Sequence, residues 1–119
     1  MPAATTIVVA RDDFSIPGGE ALDNGNPPEP IALESRFFNL IRESKPDVVV
    51  LDLREANGDG VGMILKIRRQ CSVPILVVCG QDNPCAQDYR FAGAAECIAS
   101  PVDVVAFNEM LQQIVRVNG

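Results

Sequence analysis

Between Lys45 and Leu53 the chain reads KPDVVVLDL, an almost unbroken apolar run that ends on one carboxylate, Asp52. Segments apolar on both faces are strands buried inside a parallel sheet. Thr5–Ala10 (TTIVVA) and Pro74–Cys79 (PILVVC) repeat the pattern, and Glu96–Ile98 is a shorter version. Between these runs the apolar period changes to that of a helix. Leu33, Phe37, Leu40 and Ile41 fall at i, i+4, i+7 and i+8 and predict a helix over Ile31–Ser44. A second helix is expected over Gly60–Gln70, with Val61, Ile64 and Leu65 on its inner side and Lys66, Arg68 and Arg69 outside. Pro84 suits the first position of a short helix to Ala92. Phe107, Met110, Leu111 and Ile114 give Asp103–Val115 one buried face.

Strands alternating with helices predict an α/β fold with a parallel sheet. Right-handed crossovers place the helices at 31–44 and 60–70 on one face if each strand lies beside its predecessor. One stretch breaks the alternation. Phe14–Pro30, FSIPGGEALDNGNPPEP, has the proline and glycine content of a loop. So long an irregular segment is uncommon in a compact domain. The chain's 119 residues fit a single domain, 1–119.

Composition removes several classes of function. A formal net charge of −6 disfavours a direct grip on a nucleic-acid backbone. With no histidine, imidazole acid–base and triad chemistry are impossible within the chain. Cys71, Cys79, Cys85 and Cys97 form no CxxC pair, so a zinc site is not expected. The apolar runs are strand-length, well short of the roughly 20 residues that span a bilayer. No secretory leader is visible, and a cytoplasmic location without membrane contact is the expectation. The turns at Gly58–Gly60 and Pro17–Gly19 match no nucleotide fingerprint.

Chemistry therefore gathers around Asp52, since open α/β sheets carry their sites at the carboxyl ends of strands. Arg11, Asp12 and Asp13 follow the first strand, and Asp59–Gly60 lies just beyond Asp52. With AGAAECIASP near the C-terminus, these pieces resemble the receiver domain of bacterial response regulators, a flavodoxin-like three-layer module that accepts a phosphoryl group on an aspartate. The resemblance implies that Asp52 is the acceptor position. It implies Mg²⁺ held by an acidic pair and by the backbone carbonyl of Arg54. The pair is Arg11–Asp12 if the strand ends at Ala10, or Asp12–Asp13 if the register slips by one. The resemblance also gives Cys79 the place of a phosphoryl-binding hydroxyl, Cys97 that of a switching aromatic, and Ser100 that of a lysine before proline.

These substitutions remove what the chemistry needs. A thiol is a poor hydrogen-bond donor, and serine carries no charge to stabilise phosphoryl transfer. Two carboxylates about 5 Å apart repel by about 3 kcal/mol at an effective dielectric of about 20. Arg54 or Arg11 is a candidate cation to offset this, with Mg²⁺ only weakly supported, so no cofactor is expected. The family's helix and edge strand between the acidic cluster and residue 31 are absent, leaving the loop 14–30 and a sheet of four strands. The first strand then becomes an edge, and the last helix loses its neighbour on its own face. A folded-back loop (Ile16 and Leu22 as plugs) or a second copy of the chain would cover that face, with the homodimer the expected solution.

The expected function is an atypical, non-enzymatic receiver of a signalling or transcription regulator. It acts as a dimerisation or protein-interaction module with little phosphorylation-dependent switching, and DNA contact comes only through an attached output domain. The alternatives are a working acceptor phosphorylated on Asp52 by a histidine kinase, and a thiol redox sensor.

Overall fold

A computed structural model of the chain describes residues 5–11, 13–16, 29–54, 60–80 and 86–118. Asp12, Leu22, Asp59, Pro84 and Cys85 lie outside the described residues. The elements are β1 (Ile7–Arg11), α1 (Pro30–Ser44), β2 (Val48–Leu53), α2 (Gly60–Gln70), β3 (Ile75–Cys79), α3 (Ala86–Ala92), β4 (Glu96–Ala99) and α4 (Val104–Asn118). One parallel sheet has the order β1-β2-β3-β4. This is the α/β, flavodoxin-like class, with four strands among the described residues.

Each crossover steps one strand in the same direction, so right-handedness puts α1, α2 and α3 on one face. Phe37, Phe38, Ile41, Met63, Ile64, Ile67 and Tyr89 pack there on Val8, Ala10, Val49, Leu51, Leu53, Ile75, Val77 and Cys79. The other face carries α4, whose Leu111 and Ile114 close on Val48, Val50, Leu76 and Val78, with Phe107 and Met110 alongside. Three layers result, and among the described residues the two helical layers are unequal.

Several expected details shift. β1 runs one residue further, to Arg11, which stands in register with Asp52. In α2 the buried stripe is Gly60, Met63, Ile64 and Ile67, while Leu65 is exposed. These residues stand at i, i+3, i+4 and i+7, so the stripe lies one step round the helix from the expected one. Asp103 precedes α4 and caps it: its carboxylate accepts the Val105 N–H at 3.1 Å, and its carbonyl accepts the Phe107 N–H at 2.9 Å.

Phe14, expected in irregular loop, is a core residue. Its ring meets Phe37 edge-on at 5.3 Å between centroids and Phe38 at 5.8 Å. Its φ of 68° lies in the left-handed region, which lets the chain turn back under α1 straight after β1. The turn is closed by the Arg11 N–H on the Ser15 carbonyl (2.8 Å) and the Phe14 N–H on the Arg11 carbonyl (3.0 Å). Phe14 therefore plugs the α1–α3 face and leaves the α4 face as it was. Ile7 and Val9, on the α4 side of β1, remain 39% and 38% exposed.

Candidate functional site

Asp52 is the fifth residue of β2, and the pleat turns its side chain to the α4 face, with Val48 and Val50. The chain passes straight from that buried strand into a turn at Arg54. Two residues apart on an extended backbone, Asp52 and Arg54 project to the same side. The guanidinium grips the carboxylate as a fork: Nε donates to Oδ1 at 2.8 Å and Nη2 to Oδ2 at 2.8 Å. The Arg54 backbone N–H adds a third bond to Oδ1 at 3.2 Å. The pair is half-sheltered, with Asp52 26% and Arg54 53% exposed at their side chains. The Arg54 hydrogen bonds hold the Asp52 carboxyl below the usual carboxylate range, against a smaller upward push from burial, and the charge of Arg11 adds to the downward shift.

Arg11 is thus beside Asp52 on the neighbouring strand, and no carboxylate fills that strand position. Asp13 points elsewhere: its Oδ1 accepts the Ser15 N–H at 2.9 Å. Burial pushes the Asp13 carboxyl up, but the hydrogen bonds of Ser15 and the charge of Arg11 outweigh it, and the net shift is downward.

The remaining positions lie at the ends of β3 and β4. Cys79 is buried on the α1–α3 side in register with Leu53, and its thiol donates to the Ile98 carbonyl at 3.6 Å. That bond uses the thiol's only hydrogen. Cys97 packs on the same side, and burial pushes its thiol up despite the opposing effect of Arg90. Ser100 follows β4, its N–H on the Cys79 carbonyl at 2.8 Å, and the Ser100–Pro101 peptide is cis.

Beside the ion pair lies a shallow, mostly apolar cleft of about 240 Å³, lined by Val9, Val50, Val78, Val102 and Phe107 as well as Asp52 and Arg54. Sequence reading missed this cleft as a feature.

Among the described residues, the oxygens that the family's Mg²⁺ would need are already engaged: both Asp52 oxygens face the Arg54 fork and Asp13 serves a turn, while Arg11 stands in register with Asp52 and Asp12 lies outside the described residues. Among the described residues no group of three or more potential ligands could hold a metal ion. As placed, the described residues do not fit the ion.

An open parallel sheet with a carboxylate at the end of an interior strand, flanked by helices on both faces, is a flavodoxin-like arrangement. In sequence and fold the chain is similar to the receiver domains of response regulators. A stretch of 79 residues is 32% identical to a protein-glutamate methylesterase/protein-glutamine glutaminase of Caulobacter vibrioides, covering 64% of this chain and 23% of that protein. A stretch of 83 residues is 30% identical to the response regulator protein GraR of Staphylococcus haemolyticus, covering 69% and 37%. The chain thus spans well under half the length of these relatives. Among solved structures, FixJ-N matches with a TM-score of 0.66 at 19% identity, over 97% of this chain and 96% of that one. The BeF3-activated N-terminal receiver domain of Klebsiella pneumoniae RstA matches with a TM-score of 0.59 at 24% identity, over 69% and 71%. No family model matches the chain. No helix among the described residues is long and apolar enough to cross a membrane.

Proposed function

We propose that the chain is an atypical receiver domain of a cytoplasmic signalling or transcription regulator, working as a dimerisation or protein-interaction module with little phosphorylation-dependent switching. It carries out no catalysis of its own. The observation that carries this reading is the partly exposed apolar pair Ile7 and Val9 on β1, the second of which lines the cleft at Asp52. A strand edge without charge or proline before Arg11 invites a partner. Contiguous exposed apolar surface marks protein contacts. A second copy of the chain is the first partner to consider, and DNA is reached only through an output domain joined to this one.

The test is sedimentation of the purified domain with and without acetyl phosphate and Mg²⁺. The reading expects self-association that weakens in Val9→Glu and does not respond to the phosphodonor. A monomer that assembles only on phosphorylation overturns it.

A second reading has one observation in its favour: Asp52 stands near the end of interior strand β2, where the receiver resemblance puts the acceptor, so a histidine kinase could load it. The thiol-sensor reading has less support. Burial pushes Cys71 and Cys97 up, whereas a sensor needs a stabilised thiolate.

A further inference from the structure

We propose that Arg54 is a built-in cation that closes the Asp52 carboxylate to divalent metal, making metal exclusion chiefly a property of this one side chain. The inference rests on the reading of the domain as a receiver that is not switched by phosphate, and it names what holds the site shut.

Three N–H donors of one residue converge on Asp52, two on Oδ1 and one on Oδ2. A bidentate guanidinium lies in the carboxylate plane along its outward lone pairs. Mg²⁺ must approach a carboxylate oxygen to about 2.0–2.1 Å, with near-octahedral geometry and its own waters. The fork and the hydrated ion compete for the same space. The competition is local and strongly biased, because Arg54 is held two residues away by the chain itself. Val9, Val50, Val78, Val102 and Phe107 flank the pair on one side, and with Arg54 53% exposed it is the fork geometry, not a dry setting, that favours the pair. Arg11, in register with Asp52, adds repulsion for a dication. That contribution is separable, since it is charge without a fork on Asp52.

The experiment is a Mg²⁺ titration of the ¹⁵N-labelled domain, followed by amide shifts around Asp52, for wild type, Arg54→Met, Arg54→Lys and Arg11→Gln. Arg54→Met is expected to bind at least about tenfold more tightly than wild type, the loss of one strong charge-assisted pair. Arg54→Lys, which keeps charge without the fork, is expected to fall between. Equal affinity in wild type and Arg54→Met overturns the proposal. So does an equal gain in Arg11→Gln, which would make charge alone responsible. A second readout needs no Arg54 variant: the wild-type Arg54 Nε–H should exchange slowly and lose that protection in Asp52→Asn. An unprotected Nε–H in wild type also overturns the proposal. The functional reading fails separately, if wild type gains a phosphoryl group from acetyl phosphate. An Arg54→Met variant that binds Mg²⁺ yet stays unphosphorylated supports both, because Cys79 and Ser100 are unchanged.

Discussion

Truncating Phe14 should reveal how much of the fold depends on a residue that sequence pattern assigns to a loop. The ring is almost fully buried against Phe37 and Phe38. Removing a buried Phe typically costs about 3–5 kcal/mol, and each lost aromatic pair includes about 0.5–1.5 kcal/mol beyond its area. Phe14 sits on the strand-edge side of the core, where collapse is easier, so about 3 kcal/mol is expected for Phe14→Ala. For a domain of this size that is a fall in Tm of about 10–20 °C, out of a total stability of about 5–15 kcal/mol. The backbone makes a sharper forecast. At φ 68° a side chain is penalised by about 1–2 kcal/mol, which glycine escapes while losing about 0.5–1 kcal/mol of chain entropy. Phe14→Gly should therefore be no less stable than Phe14→Ala, whereas glycine is normally the worse replacement. Urea denaturation of the three proteins measures both differences. A cost below about 1 kcal/mol for Phe14→Ala, or a glycine variant clearly weaker than the alanine one, refutes the placement of the ring or of the turn.

Other outcomes follow from the same geometry. Gly93 ends α3 at φ +126°, and a Cβ there would lie 2.8 Å from Arg68 Cγ, so Gly93→Ala should cost about 1–3 kcal/mol in thermal unfolding. The folded-state pKa values of Asp52 and Asp13 are lowered. Their stabilisation is full above the unfolded carboxylate value of about 3.9 and is lost as pH falls through the folded values. Urea midpoints should accordingly drop below about pH 4, less steeply in Asp52→Asn than in wild type. Peroxide should not join Cys79 to Cys97: Cys97 pairs with Val77, two residues before Cys79, which sets their Cα atoms about 8 Å apart, beyond disulfide reach. Mass analysis of the non-reduced protein checks this.

Much of the fold was legible because buried parallel strands and one-sided helices leave strong periodic marks. VVVLDL could only be an interior strand, and Phe107, Met110, Leu111 and Ile114 could only share a face. The boundaries that moved did so for local reasons. Arg11 extends β1 because its N–H and C=O close the turn with Phe14 and Ser15, a pairing that no propensity encodes. Leu65 is exposed because the α2 stripe is set by Gly60, where a Cβ would meet Leu53 and Tyr89 at 3.0 and 3.1 Å. At the site, the spacing of Asp52 and Arg54 announced a possible pair. That the fork closes on Asp52, and that Cys79 spends its hydrogen on Ile98, depends on strand ends seen only in three dimensions. The cleft was invisible for a different reason: its walls come from three strands, the segment after β4 and α4, which only the sheet order brings together.

On the proposed reading, this receiver-like scaffold does its work with Asp52 held by arginine and not by phosphate. The most direct test is the intact mass of the wild-type domain after incubation with acetyl phosphate and Mg²⁺. An unchanged mass is predicted. A gain of one phosphoryl group that disappears in Asp52→Ala contradicts it.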